Sequence, residues 1–375
     1  MIFSLSILRE SKADQKGREV ENRVILTPEL VKEIKNQLLE IEIFVEDGAG
    51  LKINIPNLEY KKVGAEIVSH EEALKKDLIL GVKETKPEDF PKLGRSIWLS
   101  YQHFAESKKR TELAVKTSKE KGTIFMALET IEAEKKFPCL APMSEAAGRI
   151  VVRHADMHAL LIKKIISSGL SQTGMKGLRA VVLGGGSVGK TAAEEFSVRG
   201  YEVTILGKTL AKIKILADYF KGKVKVMENT PENLKSALTS SFFLVSAMYT
   251  AGARPEKVVK KEHLKLMAEG GCAYVVDIDQ GGGVEGAVET SILDLFNLPK
   301  IEGTEIYCFA PPNIPSLGAR TTSEALGKAV LPYVIEILKL GLETAAEKNP
   351  AIKTGINIRE GKIVHPGLAS VFPEL

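Results

Sequence analysis

Three glycines spaced as G-x-G-x-x-G carry the most specific chemical signal in this sequence. The first glycine of such a turn permits a tight bend, the second lets a pyrophosphate approach the backbone, and the third lets a helix pack closely on a strand. The N-terminus of the following helix then presents unpaired N–H groups and a positive dipole end to the phosphates. The spacing predicts a dinucleotide-binding site formed by Gly184, Gly186, Ser187, Val188 and Gly189.

A strand before this turn and a helix after it must position the glycines, and the sequence provides both. Residues 180–183 are a short apolar run suited to a buried parallel strand, and residues 191–196 begin a helical pattern with small residues toward the sheet. The local order of strand, turn and helix therefore favours a nucleotide fold over a chance glycine turn.

The end of the next predicted strand lacks the residue that usually selects NAD. An acidic side chain about 20 residues beyond the fingerprint normally binds the ribose hydroxyls. Gly207 stands there, followed by Lys208 and Lys212. With no carboxylate to repel a 2′-phosphate and two cations to attract it, NADP is one interpretation. The other is that these lysines form a solvated helix turn and that NAD binds less tightly.

Composition places the chain among soluble globular proteins of two ordinary domains. It has 375 residues, of which 44% are hydrophobic and 27% charged, and a net charge of +4. No aromatic-studded basic run indicates nucleic acid, and no apolar window is long enough for a membrane span. Cys139, Cys272 and Cys308 are widely spaced, which argues against a zinc site or a disulfide framework. We expect a cytoplasmic protein without a metal centre.

Strand and helix patterns alternate along the whole chain, so the predicted fold is α/β. Strands are predicted over 40–45, 77–83, 96–101, 122–127, 180–183, 201–206, 241–247 and 271–277. Helices are predicted over 28–39, 107–121, 143–168 and 322–346. A complete α/β unit precedes the fingerprint, and the last helix returns to it. We therefore expect two Rossmann-like domains: a substrate domain of 1–140 and 318–375, and an inserted NAD(P)-binding domain of 141–317, with a ligand-binding cleft between them.

Seven segments together carry a resemblance to a known family. They are residues 21–28, 82–84, 101–103, 142–149, 184–189, 279–285, and 313–315 with 320–322. In this order they resemble the alanine dehydrogenase and transhydrogenase alpha-subunit superfamily over nearly the whole chain. The similarity is greater to the alanine dehydrogenase branch, because transhydrogenase subunits generally lack the histidine that His103 matches.

The resemblance implies a role for several side chains on the substrate side. Arg23 and Lys83 would hold the carboxylate and oxo group of a 2-oxo acid, with Met143 beside them; His103 would be the acid/base, and Asp279 would assist at the reacting centre. The residue types suit these roles: arginine bonds both oxygens of a carboxylate, lysine polarises a carbonyl, and histidine exchanges protons near neutral pH. We expect Arg23 and Lys83 to face a ligand and not the core.

Each of these side chains also has a purely structural interpretation. Arg23 could pair with a surface Glu21, Lys83 could cap a strand, His103 could be a satisfied hydrogen-bonding residue, and Asp279 could form a turn. Lys83 and His103 both follow predicted strands, however, where open α/β sheets place ligands.

Further residues are assigned to the cofactor by resemblance. Ser144, Met248 and Asn313 match cofactor-side residues of the family. The alternative role for Ser144 is to cap a helix, and the alternative role for Asn313 is to shape a proline-rich loop. Asp277 adds a carboxylate two positions before Asp279 on the same strand face, so either could reach the site. The resemblance also implies a homo-oligomer, either a hexamer or a dimer.

Two histidines, His154 and His158, have a spacing that could place a metal on one helix face. No third ligand is near in sequence, so we interpret this helix face as solvated.

Three functions are compatible with these observations. The first is an NAD(P)-dependent amino-acid dehydrogenase that interconverts L-alanine, or a similar small amino acid, with its 2-oxo acid and ammonia. The second is a saccharopine-dehydrogenase-like enzyme acting on lysine and 2-oxoglutarate. That family carries a lysine and a histidine in early segments, and residues 80–84 and 101–104 of this chain resemble those segments. The third is a non-catalytic nucleotide-binding subunit of the transhydrogenase type, which the presence of Arg23, Lys83 and His103 disfavours.

Overall fold

The computed structural model describes residues 2–164, 177–248, 257–278 and 281–375. The chain divides into two compact units, one formed by Met1–Met143 with Gly318–Leu375 and the other by Ser144–Leu317. The first boundary falls three residues after the predicted one, inside a helix that begins at Ala141.

The strands and helices are as follows. The strands are β1 (Ser4–Ile7), β2 (Glu42–Glu46), β3 (Glu66–Val68), β4 (Leu78–Leu80), β5 (Ile97–Ser100), β6 (Ile124–Ala127), β7 (Arg179–Leu183), β8 (Glu202–Gly207), β9 (Lys225–Glu228), β10 (Phe243–Ser246), β11 (Cys272–Val275), β12 (Tyr307–Phe309), β13 (Ile356–Arg359) and β14 (Lys362–Ile363). The helices are α1 (Pro28–Gln37), α2 (Asn57–Lys62), α3 (His70–Ala73), α4 (Lys108–Lys121), α5 (Ala141–Lys163), α6 (Ser187–Val198), α7 (Leu210–Phe220), α8 (Pro231–Leu238), α9 (Lys261–Leu264), α10 (Ala319–Leu340), α11 (Leu342–Lys348), α12 (Pro350–Gly355) and α13 (Pro366–Val371).

The sheet of the first unit has the strand order β14-β13-β6-β5-β4-β1-β2-β3. Strands β1 to β6 are parallel, whereas β13 pairs antiparallel with both β6 and β14. Within the parallel part the chain runs outward from β1 to β3 and then from β4 to β6 on the other side. The order therefore reverses between β1 and β4, which is where open α/β sheets form ligand sites.

Alternate side chains of the central strands enter opposite cores of this unit. In β4, Leu78 and Leu80 pack with helices α1 and α10, while Ile79 lies in a second cluster with Trp98 and Phe125. Because both faces are covered, the strand is apolar throughout, and each fully buried side chain of this size contributes about 1.5–3 kcal/mol to stability.

The sheet of the second unit is parallel, in the order β12-β11-β10-β7-β8-β9. This is the doubly wound dinucleotide-binding order, with its reversal between β7 and β10. Again Ala180 and Val182 face one core, and Val181 and Leu183 face the other. The predicted fold class, α/β with two Rossmann-like domains, is confirmed.

Several element predictions need correction. The helix predicted over 322–346 is broken at Gly341, whose φ of +74° ends α10 and begins α11. Six strands were not predicted, because they are short or amphipathic and obtain their stability from the sheet beside them: β1, β3, β9, β12, β13 and β14. Part of the helix predicted over 143–168 lies outside the described residues, and its described part begins earlier, at Ala141.

Candidate active site

Lys83 and His103 follow neighbouring strands at the carboxyl edge of the first sheet. Lys83 comes three residues after the end of β4, and His103 three residues after the end of β5. These strands are paired in register, so both segments leave the same edge beside the β1–β4 reversal. The predicted position of both residues at strand ends is confirmed.

Arg23 is buried, which contradicts the expectation that it lies outside the core. Only 3% of its surface is exposed, and its partner Glu21 is fully buried. The pair is bidentate: Arg23 Nε donates to Glu21 Oε1 at 2.8 Å and Nη2 donates to Oε2 at 2.7 Å. Burial by itself raises the pKa of Glu21, but the adjacent guanidinium outweighs it and lowers this pKa to about 2. The structure thus replaces the proposed surface pair with a buried, fully ionised one.

The Arg23–Glu21 pair also orients the guanidinium toward a second predicted substrate-side residue. Arg23 Nη1 contacts Met143 Sδ at 3.0 Å, and Met143 is itself buried. The edge that carries Nε and Nη2 is bound to Glu21, so the Nη1 side is the one directed to Met143. The structure therefore brings these two predicted substrate-side residues together.

Lys83 is a partly exposed cation in the same electrostatic environment. Burial lowers its pKa, and the charges of Lys12 and Arg23 lower it further, against the opposing effect of Glu84. Glu84 is held ionised: burial raises its pKa, but Lys83, His103 and Lys12 outweigh that effect and lower it to about 2. A cluster of cations with fewer ionised carboxylates suits an anionic ligand.

His103 has an unusual backbone conformation. Its φ and ψ of 44° and 41° are left-handed, which costs a non-glycine residue about 1–2 kcal/mol. The imidazole stacks on the Tyr101 ring, with 6.0 Å between ring centroids, and its Nδ1 lies 3.5 Å from Glu106 Oε1. The Tyr101 hydroxyl donates to the Cys139 carbonyl at 2.6 Å, which fixes the ring beneath the imidazole. The histidine is partly exposed and remains accessible to a ligand.

Glu10 is a site residue that sequence reasoning missed. It follows β1, and its carboxyl group accepts the backbone N–H groups of Val82 and Lys83. Burial, followed by repulsion from Glu21, raises the pKa of Glu10 to about 7 against the opposing effect of those hydrogen bonds. The signal was an acidic residue at a strand end, and it was missed because β1 itself was not predicted.

The glycine turn of the second unit has the geometry that the fingerprint requires. Gly184 has a φ of +103°, and a Cβ there would lie 2.4 Å from the Ala247 carbonyl oxygen. A Cβ on Gly189 would lie 1.9 Å from the Gly184 carbonyl oxygen, so neither position accepts a side chain. Gly186, by contrast, has no heavy atom within 4 Å of its Cβ position. Space for a phosphate exists where the spacing predicts it.

Helix α6 begins directly after this turn with Gly186 as its N-cap, and no side chain caps it. Ser187 and Val188 occupy its first turn, and Ser187 is exposed. The twelve-residue helix therefore directs its positive dipole end and its first N–H groups out of the turn. These residues fit a pyrophosphate.

Gly207 is the last residue of β8, one residue beyond the predicted end of this strand. Lys208 and Lys212 are both exposed, so they can meet an anion but are open to screening by salt. A Cβ on Gly207 would lie 2.9 Å from Ile213 Cγ1 of α7. Packing against α7 therefore favours glycine at this position independently of the cofactor.

Other predicted cofactor-side residues follow the remaining strands of this parallel sheet. Met248 comes two residues after β10, and its backbone N–H donates to Asp277 Oδ2 at 3.3 Å. Asn313 is buried in the segment after β12. Because the carboxyl ends of parallel strands lie at one edge, these segments share the edge with the glycine turn.

Of the two aspartates that follow β11, Asp277 and Asp279, only Asp277 lies among the described residues. Asp277 is buried, and its Oδ2 accepts from Ser246 Oγ at 2.9 Å and from the Gly283 N–H at 3.2 Å. Burial raises its pKa, although these bonds oppose the shift. Its contacts within the described part of the chain join the segments that follow β10 and β11.

Two interpretations of residues in α5 are wrong. Ser144 is not the cap of this helix, because the helix begins three residues earlier, at Ala141. His154 and His158 do not form a solvated face: they are 8% and 6% exposed, and their Nε2 atoms bond the carbonyl oxygens of Leu295 and Gly270. Burial lowers the pKa of His154 to about 4 and also lowers that of His158. Both are neutral core residues.

The described residues contain neither a candidate metal cluster nor a candidate membrane-spanning helix. In 2–164, 177–248, 257–278 and 281–375, no group of three His, Cys, Asp or Glu side chains is arranged to hold a metal ion. Over those same ranges no helix combines the length and apolar character needed to span a bilayer.

Comparison with known proteins now identifies the family. The family model described as "Alanine dehydrogenase/PNT, N-terminal domain" matches residues 7–147, and "Alanine dehydrogenase/PNT, C-terminal domain" matches residues 156–366. The chain belongs to the alanine dehydrogenase/PNT family. The resemblance inferred from the seven sequence segments is confirmed.

Individual relatives of this alanine dehydrogenase/PNT family protein are similar to it over nearly the whole chain. Alanine dehydrogenase 1 of Staphylococcus aureus (strain NCTC 8325 / PS 47) is 32% identical over 363 residues, covering 94% of each chain. A solved L-alanine dehydrogenase superimposes with a TM-score of 0.88 at 26% identity, covering 99% of each chain. A transhydrogenase from Sinorhizobium meliloti has a TM-score of 0.77 at 19% identity over 97% of this chain, which shows a shared fold.

Proposed function

We propose that this protein is a nicotinamide-dependent amino-acid dehydrogenase that interconverts L-alanine, or a similar small amino acid, with its 2-oxo acid and ammonia. The observation that carries the proposal is the cluster of Arg23, Lys83 and His103 within the first unit, beside the strand reversal of its sheet. Full-length similarity to a protein named alanine dehydrogenase supports the same reaction.

The substrate carboxylate and oxo group are assigned to the cationic residues. Arg23 stays charged because its buried partner Glu21 raises its pKa against the effect of burial, and Met143 lies against it. Lys83, partly exposed at the end of its strand segment, is placed to polarise a carbonyl oxygen on which negative charge develops. Each cation thus has one part of a 2-oxo acid to stabilise.

Proton transfer is assigned to His103. Oxidising a 2-amino acid removes a proton from nitrogen, and the imine must then add water, which requires a base and an acid in turn. His103 is partly exposed, and its imidazole is fixed between Tyr101 and Glu106. A bound nicotinamide would supply the acceptor for a hydride from the substrate Cα, and its donor in the reverse direction. Asp279 is proposed to assist at the reacting centre, from the family resemblance alone.

The second unit is proposed to hold the cofactor. Gly184, Gly186 and Gly189 would receive the pyrophosphate, because only the middle position has open space and α6 begins uncapped beside it. Ser187, Val188, Ser144, Met248 and Asn313 are proposed to contact other parts of the dinucleotide. The cofactor is NAD or NADP, and we propose that NADPH binds at least as well as NADH because Gly207 offers no carboxylate against a 2′-phosphate.

Three accompanying assignments follow from this function. The first unit is the substrate domain and the second the NAD(P)-binding domain, and the chain is proposed to assemble as a homo-oligomer, which light scattering on the purified protein tests. Neither the saccharopine-type enzyme nor the transhydrogenase-type module is favoured by the relatives found.

The decisive test is a substrate panel followed by nicotinamide absorbance. Pyruvate, larger 2-oxo acids and 2-oxoglutarate are each supplied with ammonia or lysine and with NADH or NADPH. Turnover with pyruvate and ammonia supports the proposal. Turnover only with 2-oxoglutarate and lysine would support the saccharopine-type reaction, and cofactor binding without any turnover would support the nucleotide-binding module.

A further inference from the structure

The Glu129 side chain contacts the backbone of the segment that carries His103. It lies in the one-turn 3-10 helix Leu128–Thr130, directly after β6. Its carboxylate accepts two consecutive backbone N–H groups: Oε2 from Gln102 at 3.2 Å and Oε1 from His103 at 2.6 Å. Glu129 therefore bonds the backbone of the histidine segment with both oxygens.

These two N–H groups need a partner because the chain leaves the sheet at this point. Strand β5 ends at Ser100, and Tyr101 still donates to the Val82 carbonyl oxygen at 3.1 Å. Beyond it the backbone turns, and His103 takes its left-handed conformation. Hydrogen bonds to an ionised group contribute about 1.5–3 kcal/mol each, enough to offset the cost of that conformation. The Glu129 contact thus stabilises the turn that presents the imidazole.

The left-handed backbone determines where the imidazole lies. The direction of the Cα–Cβ bond follows φ and ψ, and in this conformation the ring stacks on Tyr101 at an interplanar angle of 16°. Arg110 Nη2 bonds the His103 carbonyl oxygen at 3.3 Å, so the peptide groups on both sides of His103 are held. Both of these Glu129 hydrogen bonds are to backbone N–H groups and not to the imidazole, so we assign the effect of Glu129 on proton transfer to the backbone.

The same arrangement occurs at the neighbouring strand end. The Glu10 carboxyl group accepts hydrogen bonds from the backbone N–H groups of Val82 and Lys83, and Lys83 is the proposed substrate-binding lysine. Glu10 and Glu129 thus each bond two consecutive backbone N–H groups. In each pair the second N–H belongs to a residue with a proposed role in the reaction. Glu10 is buried beside Glu21, whereas Glu129 is partly exposed and tolerates substitution better.

We propose that Glu129 is a positioning residue for His103: its carboxylate holds the backbone of residues 102 and 103 and thereby aligns the imidazole for proton transfer. This inference rests on the proposed function, in which His103 is the acid/base. A displacement of the imidazole by about 1 Å can reduce the rate by about 100-fold. Loss of one carboxylate bond should therefore lower kcat much more than it alters cofactor binding.

The kinetic test compares Glu129→Gln with Glu132→Gln, His103→Ala and the double variant. Glu129→Gln keeps the size but places an NH₂ group against one backbone N–H, whereas Glu132 is an exposed carboxylate three residues further on, so its variant controls for lost charge. We expect Glu129→Gln to lower kcat about 10- to 100-fold with little change in the KM for cofactor, and Glu132→Gln to match wild type. In the His103→Ala background, Glu129→Gln should cause no further loss.

The outcomes separate this inference from the proposed function. Equal turnover by wild type and His103→Ala would overturn the proposed role of His103, and this inference with it. A large loss in His103→Ala with full activity in Glu129→Gln would overturn the positioning role alone. A further loss in the double variant would show a general structural effect and would also overturn it.

An amide measurement tests the contact without relying on turnover. The His103 amide proton, donated to a carboxylate at 2.6 Å, should resonate downfield and exchange slowly with solvent in wild type. In Glu129→Gln it should move upfield and exchange about 10-fold faster or more, while Glu132→Gln leaves it unchanged. Unchanged shift and exchange in Glu129→Gln would overturn the inference.

Discussion

Replacing Gly207 by aspartate should shift the cofactor preference toward NADH by about 10-fold or more. A carboxylate at the end of β8 would gain a charged hydrogen bond with the ribose hydroxyls, about 1.5–3 kcal/mol, which corresponds to about 10- to 150-fold in affinity. It would also repel a 2′-phosphate by about 1 kcal/mol per unit charge at about 4 Å in water. Both effects change the ratio of the two dissociation constants in the same direction.

The structure adds a packing cost to this substitution. A Cβ on Gly207 would lie 2.9 Å from Ile213 Cγ1, and overpacking of this kind costs about 1–3 kcal/mol unless the side chain moves. The cost applies with either cofactor, so it cancels in the ratio of affinities but lowers the melting temperature. Adding Ile213→Ala should restore stability without changing the ratio.

The assay is the dissociation constant of NADH and of NADPH for wild type, Gly207→Asp and Gly207→Asn, at low and high salt. Asparagine has the same size without the charge, so it should shift the ratio far less than aspartate. High salt should weaken NADPH binding more in wild type, because Lys208 and Lys212 are exposed. If wild type strongly prefers NADH at both salt concentrations, another residue supplies the ribose contact and the argument from Gly207 is refuted.

The remaining predictions concern the first unit. His103→Ala should lower kcat by about 100-fold or more without affecting cofactor affinity, and an unchanged steady-state rate would remove it from the mechanism. Lys83→Ala should reduce kcat/KM for the 2-oxo acid by about 10- to 150-fold with little change in melting temperature, because the residue is partly exposed; a large melting shift with normal kinetics would indicate a structural role. Arg23→Ala should lower the free energy of unfolding by about 3–5 kcal/mol in a denaturant titration, because it leaves Glu21 buried and unpaired. Adding Glu21→Gln to Arg23→Ala should recover part of this stability but should not restore turnover of the 2-oxo acid. Hydrogen bonds to Asp89 and Glu46 raise the pKa of His70 to about 9. Its contribution to stability, about 2 kcal/mol after allowance for solvent screening of this partly exposed pair, is complete below about pH 6.5 and lost as pH rises through 9. His70→Gln should remove this alkaline decline from the stability profile, and an identical decline in both proteins would contradict the assignment.

Local patterns in the sequence predicted the elements whose sequence signal lies within a short window. The fingerprint turn and the buried strands β4, β5, β7 and β10 were predicted because apolar runs between turn residues are visible in a short window. Strand β1 was missed, although it lies centrally in its sheet, because it has only four residues, two of them serines. Its neighbours in the sheet are far away in sequence, and no local pattern reports them.

Burial of polar residues was the part of the site that sequence could not predict. The residue type of Arg23 suits a ligand-binding cation whether it is exposed or buried. Its burial depends on neighbours such as Met143, 120 residues away, which no local pattern reveals. His154 likewise bonds Tyr274 and Leu295 across the fold, which no spacing within its helix predicts. The carboxylates of Glu10 and Glu129 bond backbone N–H groups of segments far away in sequence, and these partners cannot be recognised until the strands around them are placed.

The most direct test of the proposed reaction is reduction of pyruvate by the purified protein in the presence of ammonia, followed by nicotinamide absorbance and by assay of the amino acid formed. We predict that reduced cofactor is consumed only when pyruvate and ammonia are both present, with one L-alanine formed per cofactor oxidised. Cofactor binding without consumption, for pyruvate and every other small 2-oxo acid supplied with ammonia, would contradict the assignment of this protein as an amino-acid dehydrogenase.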